Sequence, residues 1–382
     1  MFVLDKNQAK KLIFAIYNIY LILMQTPTNN SPKLSNTKQK KTKKILNNIH
    51  FCDIKKTEDI FNIFCDASCE IDTILDNIII ITQENIYCLY SDLLHNYKNK
   101  IIFISSKDVT ELPPVLNKLI SLSANKNTVL VGFGGGEVTD VAAFIASVYM
   151  RGIKCKLIPT TLLAMVDAAI GGKSAMNIGA VKNSIGSIRQ VDDIYINTNF
   201  IKTLPYIEKQ NGLVEIVKIA ILRDASLLDL IINNQDKIFD EEYLLLNIIK
   251  KAIDIKLKIV NEDMYDFGIR NILNFGHTIG HLLELKYNIS HGQAVAIGMF
   301  YETNIAKNLG FITSETCDKI CDILKIFNLD FYKYPIYDLI QNIYFDKKIK
   351  HDKINFTYVS EIGRANLINL KIDDILSHIE KV

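Results

Sequence analysis

Charge of one sign is missing from this chain: 44 Lys and Arg are balanced by 42 Asp and Glu, leaving a formal net charge of +2 over 382 residues. Without a dominating basic field no nucleic-acid partner is expected. Disulfide chemistry is missing too. Seven cysteines, an odd number with no C-x-x-C pair, fit free thiols in a reducing compartment. Cys65/Cys69 and Cys317/Cys321 stand four apart and read as helix packing. No apolar run reaches membrane-spanning length. Leu12–Met24 is interrupted by Asn18 and is too short, so no membrane partner and a soluble, cytoplasmic body are expected. Acidic residues are absent from Lys6 to Cys52, a stretch with a basic start, the short apolar run and a lysine-rich tail. It reads either as a targeting leader or as a poorly constrained extension over residues 1–46, and the second reading is preferred. The remainder, 49% hydrophobic and 23% charged overall, is long enough for a large core and two domains.

From about residue 47 the pattern is α/β. Asn77–Thr82, Ile101–Ser105, Asn127–Phe133 and Lys154–Thr160 are short apolar runs that read as buried parallel strands. The third runs into Gly134-Gly135-Gly136 and then a helical stretch, Val138–Tyr149. Strand, glycines and helix let backbone N–H groups approach a pyrophosphate, although the G-x-G-x-x-G spacing is lacking and a plain tight turn is the competing reading. Asp167 falls in the next helical run, and Gly171-Gly172-Lys173 opens a loop that ends at Lys182-Asn183. Lysines beside glycines can reach phosphate, but in a chain rich in Lys and Asn they also decorate plain surface.

After about residue 200 helical periodicity takes over. Glu215 and Lys218 interrupt the apolar run Leu213–Leu222 and either pair with each other or serve a stronger partner such as a metal ion. His277 and His281, four apart, share a helix face, and His291 follows a short polar turn at Tyr287–Ser290. Imidazoles among small and apolar residues suit zinc, and equally suit satisfied core or surface histidines. Spacing places Arg270, Asn274, His277 and His281 along one helical stripe. Asp346-Lys347-Lys348 precedes an expected hairpin, Ile354–Val359 with Ala365–Leu370 around Gly363.

The stretches GGGEVTD (134–140), IPTTLLAMVDAAIGGK (158–173), KN (182–183), KTLP (202–205), GLVEIVK (212–218), LNFGHTIGH (273–281), HGQAVAIGM (291–299) and DKK (346–348) together resemble the 3-dehydroquinate synthases, over about residues 75–375. The resemblance implies an α/β Rossmann-like N-terminal domain, 47–200, followed by an all-α C-terminal domain, 201–382. It implies a homodimer with NAD and a divalent metal, zinc or cobalt, as cofactors. The substrate would be the sugar phosphate 3-deoxy-D-arabino-heptulosonate 7-phosphate, converted to 3-dehydroquinate and phosphate on the shikimate route. NAD would oxidise a hydroxyl transiently, phosphate would leave, the ketone would be reduced again, and an intramolecular aldol would close the ring.

Carried residue by residue, the resemblance makes Glu215, His277 and His291 the metal ligands, whereas spacing alone pairs His277 with His281. It makes His281 a proton-transfer group. Lys173, Asn183, Lys256, Arg270, Asn274 and one of Lys347 or Lys348 become a clamp for phosphate and carboxylate. Arg151 would reach the phosphate across the dimer, and Lys218 would stand beside the metal ligand. Asn85, Gly135, Gly136, Asp140, Thr160, Thr161, Asp167, Lys173, Lys182, Lys202 and Thr203 would line the NAD cleft. Ser105–Glu111 lacks the family's acid-and-lysine pattern, Gln83 stands for an acid, Glu137 for an apolar residue, Gln293 for Glu, and Asp266 for a longer acid. The competing readings are another sugar phosphate cyclase, a metal-dependent polyol dehydrogenase, and a non-catalytic homologue.

Overall fold

A computed structural model describes residues 48–55, 77–327, 329, 331, 334, 336 and 353–379. Its first half holds β1 (Ile49–Phe51), β2 (Ile78–Thr82), β3 (Ile101–Phe103), β4 (Val129–Gly134), β5 (Lys154–Pro159), β6 (Lys173–Ile178), β7 (Val181–Ile188) and β8 (Asp193–Ile196). Six of these form one sheet in the order β1-β8-β5-β4-β2-β3, with every neighbouring pair parallel. A parallel sheet is covered on both faces, which is why β2 reads as unbroken isoleucines, all buried. The four expected strands are present. β1 and β8 are not expected from the sequence, because His50 and Asp193 break or bound runs too short to read as apolar strands. From β2 the chain adds β3 on one side, then returns to lay β4 on the other. That reversal opens a crevice at the carboxyl ends of the strands. β4 ends in it at the glycine turn, and α1 (Gly136–Val148) starts there.

The expected loop from Gly171 to Asn183 is instead an antiparallel hairpin of β6 and β7. Its Lys, Asn and Gly content imitates a loop, but Ser174 and Met176 alternate into the interior. Gly186 is required there, since a Cβ would lie 2.3 Å from Ser174 O. Asp167 sits in a single π-helical turn, Ala164–Ala168.

The second half is helical: α2 (Tyr206–Arg223), α3 (Glu242–Glu262), α4 (His277–Tyr287), α5 (His291–Asn308) and α6 (Ser314–Leu324) bear on the site or its frame. It also carries the hairpin expected around Gly363, as β9 (Lys353–Glu361) and β10 (Arg364–Lys371). α2 is buried without a break from Asn211 to Leu222, as befits a helix apolar on all sides. Cys317 packs inside α6 as the spacing implied, while Cys65, Cys69 and the extension 1–46 lie outside the described residues.

The single helical stripe from Arg270 to His281 does not exist. Ile269–Asn274 is a 3-10 segment, and Gly276, with φ 77, turns the chain before α4 begins at His277. Spacing counts assume one continuous helix, and a left-handed glycine breaks that assumption. No helix among the described residues is long and apolar enough to cross a membrane.

Candidate active site

Close backbone approach builds the centre. At Gly292 a Cβ would lie 2.6 Å from Asn211 Cα, and Gly292 N donates to Asn211 Oδ1 at 3.0 Å. This contact presses the start of α5 against α2, one turn before Glu215. α4 meets α5 in the same way, through Gly276, Gly280 and Gly298, each of which abuts the partner helix. Three residues from three helices are thereby gathered, and the ligand-capable atoms of Glu215, His277 and His291 all lie within 4.8 Å of one another.

Glu215 is fully buried. One oxygen pairs with Lys218, the partner that spacing suggested. The other, Oε1, has no hydrogen-bond partner, yet lies 3.4 Å from His291 Nε2 and 3.7 Å from His277 Nε2. The pairing with Lys218 thus occupies one oxygen and leaves the other facing the two imidazoles. His277 Nδ1 lies 3.2 Å from Phe275 O, which leaves Nε2 for the centre. His281 stands edge-on to His277, ring centroids 5.2 Å apart, beside the cluster rather than in it.

Burial alone would raise the Glu215 carboxyl, but the Lys218 ammonium and the contact with His291 hold it below its ordinary value. Burial alone would lower His291. Glu215 on one ring nitrogen and Glu284 on the other, 3.5 Å from Nδ1, raise it to about 9. Two carboxylates converging on one imidazole call for positive charge between them. An orphaned, buried carboxylate oxygen facing two imidazole nitrogens is the donor set of a three-ligand zinc site, so the residues fit a divalent metal.

Around this centre lie buried cations. Lys256, 4% exposed, donates to the Asp167 carboxylate and to its carbonyl; burial pulls the ammonium below its ordinary pKa despite that partner. Arg270, 3% exposed, donates to Met264 O at 2.8 Å and reaches Gly171, where a Cβ would lie 2.7 Å from its guanidinium. Lys173 pairs with Asp266, and Lys182 lies 2.8 Å from Glu284, so the β6–β7 hairpin is tied to the helical half. Asn274 is partly buried near Asn271. Arg151 is exposed after Met150, both with positive φ. Lys347 and Lys348 lie outside the described residues.

On the sheet side, Thr160 Oγ1 is buried without a partner beside the glycine turn, and Thr161 packs against Gly135. Gly136 has Ala168 Cβ 3.3 Å from where its own Cβ would stand. A glycine cradle at the start of a thirteen-residue helix, with an unused hydroxyl beside it, fits a pyrophosphate. Asp140 accepts from Lys107 at 2.7 Å, and Lys107 also donates to Asn183 at 2.6 Å. Gln83, Glu84, Asn85, Phe103, Ile104, Ser105 and Glu111 line an open cavity of about 530 Å³ at the ends of β2 and β3. Glu137 is exposed and accepts from Gln83 at 3.0 Å, so its carboxylate has a partner outside the turn. Lys202 is directed to Asn199 and Glu242, and Thr203 to Tyr90.

Sequence reasoning passed over Lys107, Glu284 and Glu302. Two carried a signal. Glu284 follows His277 by two turns on the same face, and Glu302 interrupts an apolar run just as Glu215 does.

The fold is shared with a 2-epi-5-epi-valiolone synthase from Streptomyces hygroscopicus subsp. jinggangensis 5008, solved with NAD+ and Zn2+ bound, which superposes with a TM-score of 0.75 at 22% identity, covering 93% of this chain and 99% of that one. Residues 104–211 match the family model of the 3-dehydroquinate synthase N-terminal region, and residues 212–349 that of the C-terminal region. A 3-dehydroquinate synthase of Thermoanaerobacter pseudethanolicus is 39% identical over 313 residues, 78% of this chain and 88% of that protein. One of Campylobacter jejuni subsp. jejuni is 36% identical over 330 residues, 82% and 94% of the two. The chain belongs to the 3-dehydroquinate synthase family and is a lyase of that type.

Proposed function

We propose that this chain converts 3-deoxy-D-arabino-heptulosonate 7-phosphate to 3-dehydroquinate and phosphate at the cleft between the sheet's carboxyl edge and helices α2, α4 and α5. The observation that carries the reading is Glu215 Oε1, buried and unsatisfied, facing His277 and His291. These three would hold the divalent ion, zinc or in its place cobalt, and the glycine turn would hold NAD. Bound there, the ion would supply Lewis acidity to a substrate hydroxyl, and NAD would supply the acceptor for a hydride.

The chain's own groups do the rest. His281, beside His277 and off the cluster, moves a proton at its ring nitrogen. Lys218 neutralises the second Glu215 oxygen, which keeps the first free for the ion. Lys256 and Arg270, buried with their charges directed inward, suit a carboxylate and a phosphate, with Lys173, Asn183, Asn274 and one of Lys347 or Lys348 completing the clamp. Asn85, Gly135, Gly136, Asp140, Thr160, Thr161, Asp167, Lys182, Lys202 and Thr203 would border the cofactor. Arg151, exposed and held outward, would serve the neighbouring subunit of a homodimer. Residues 47–200 and 201–382 would be the two domains of a cytoplasmic enzyme.

The test is phosphate release by the purified chain with zinc and NAD, each omitted in turn. Release that needs both, without net NADH, is expected. A steady build-up of NADH would favour a dehydrogenase and refute the reading.

A further inference from the structure

Glu302 lies in the middle of α5, 1% exposed, in a stretch where most of its neighbours are apolar. Its carboxylate accepts from the backbone N–H of Gly276 at 2.8 Å, of Thr278 at 3.0 Å and of Ile279 at 3.4 Å. These groups flank His277. The N–H groups of a helix's first turn have no acceptor inside their own helix, and α4 has no side-chain cap of its own because its N-cap residue is Gly276. An ordinary Ser or Asp cap is barred there: φ is 77, and a Cβ would lie 2.5 Å from Met299 Cγ. The cap comes instead from another helix.

A carboxylate so deeply buried is costly, and the three N–H donations and the positive end of α4 compensate it. The arrangement also has a geometric consequence. His277 sits on the turn that Glu302 grips, and His291 sits on Glu302's own helix, eleven residues earlier and so about three turns away on the same face. Gripping that turn fixes the rotation and rise of one imidazole relative to the other. Glu284, carried by α4 and facing His291 on α5, braces in the opposite sense.

We propose that Glu302 is a positioning residue of the metal site: it locks the turn bearing His277 to the helix bearing His291, so that both imidazoles face Glu215 before any ion binds. This rests on Glu215, His277 and His291 being the metal ligands. Partners that orient ligands in this way typically govern affinity by about 10–100-fold.

The test uses the full chain, stripped of metal, with Zn2+ titrated against a chromophoric chelator and Co2+ followed by its visible absorption. Glu302→Gln keeps the volume and one carbonyl acceptor, so it preserves the helix start while removing the charge and one grip. It is expected to weaken Zn2+ binding by about tenfold or more and to shift the Co2+ bands, with the far-ultraviolet spectrum of the metal-free protein unchanged. Wild-type Zn2+ affinity and an unaltered Co2+ spectrum in folded Glu302→Gln would overturn the proposal, even if that protein melted earlier, because Glu302 would then serve stability alone. If the wild-type chain bound no Zn2+, or His277→Ala bound it equally well, the ligand assignment itself would fall.

Discussion

Gly298→Ala adds one methyl group at the point where α4 and α5 touch. The new Cβ would lie 1.9 Å from Gly276 O, 2.8 Å from its carbonyl carbon and 2.9 Å from Gly280 N. All three are backbone atoms, so no side-chain rotation relieves the clash. A carbon–oxygen contact needs about 3.3 Å, and the gap of 1.9 Å means that the helices must part by about 1.4 Å. Overpacking of this kind costs about 1–3 kcal/mol, offset by about 1 kcal/mol from replacing glycine within a helix. A chain with about 5–15 kcal/mol of stability remains folded. The metal centre tolerates far less, since ligand distances hold to about 0.2 Å. His277 and His291 ride on the two helices being separated. The expected outcome is a small drop in the urea midpoint with a loss of Zn2+ affinity of about tenfold or more by chelator competition. Wild-type affinity at an unchanged midpoint would refute the claim that this contact sets the geometry of the site.

His277→Ala should remove bound zinc and activity together. His281→Ala should keep the zinc and lose about 10²–10⁴-fold in rate, and zinc loss in this second variant, measured by elemental analysis, would overturn the assignment of roles. Glu137→Val should leave the NAD dissociation constant within about fivefold, because its exposed bond to Gln83 is worth under about 1 kcal/mol; calorimetry showing much tighter binding would mean that the carboxylate faces the pyrophosphate. Burial favours the neutral form of Asp263, but N–H donations from Gly268, Phe267 and Arg270 together outweigh it and hold the carboxyl below its ordinary 3.8. The folded state thus binds this proton less readily than the unfolded one. The stabilisation is complete above the ordinary carboxylate value and is lost as pH falls through the lower, folded value. Asp263→Asn should flatten the acid limb of the urea midpoint against pH, and an unchanged limb would show that the loop carrying Asp266 and Arg270 is held by other contacts.

Much of the frame was legible in the residues. The isoleucines of Ile78–Ile81 announce a strand buried on both faces, and the glycines after Phe133 place a turn at its neighbour's end. Glu215 was legible for the same reason, as a charge inside Leu213–Leu222 that demands a partner. The β6–β7 hairpin was hidden because polar, glycine-bearing strands look like loops until their alternate side chains are seen to pack. The stripe from Arg270 to His281 was misread because Gly276 changes the hand of the backbone, and spacing carries no record of that.

By itself the sequence determined where the apolar strands β2 to β5 and the buried helix α2 fall, and which charged side chains must find company indoors, since propensity and hydrophobic period act over a few neighbouring residues. It did not determine which company. Along one helix His281 is the natural partner of His277; in space the partner is His291, because Gly292 lets α5 press on α2 and Gly298 lets α4 press on α5. The resemblance names that trio, but spacing does not, and only the tertiary structure shows what brings its atoms together. Contacts between residues remote in the chain depend on how closely whole helices can approach, and that distance is set where they cross.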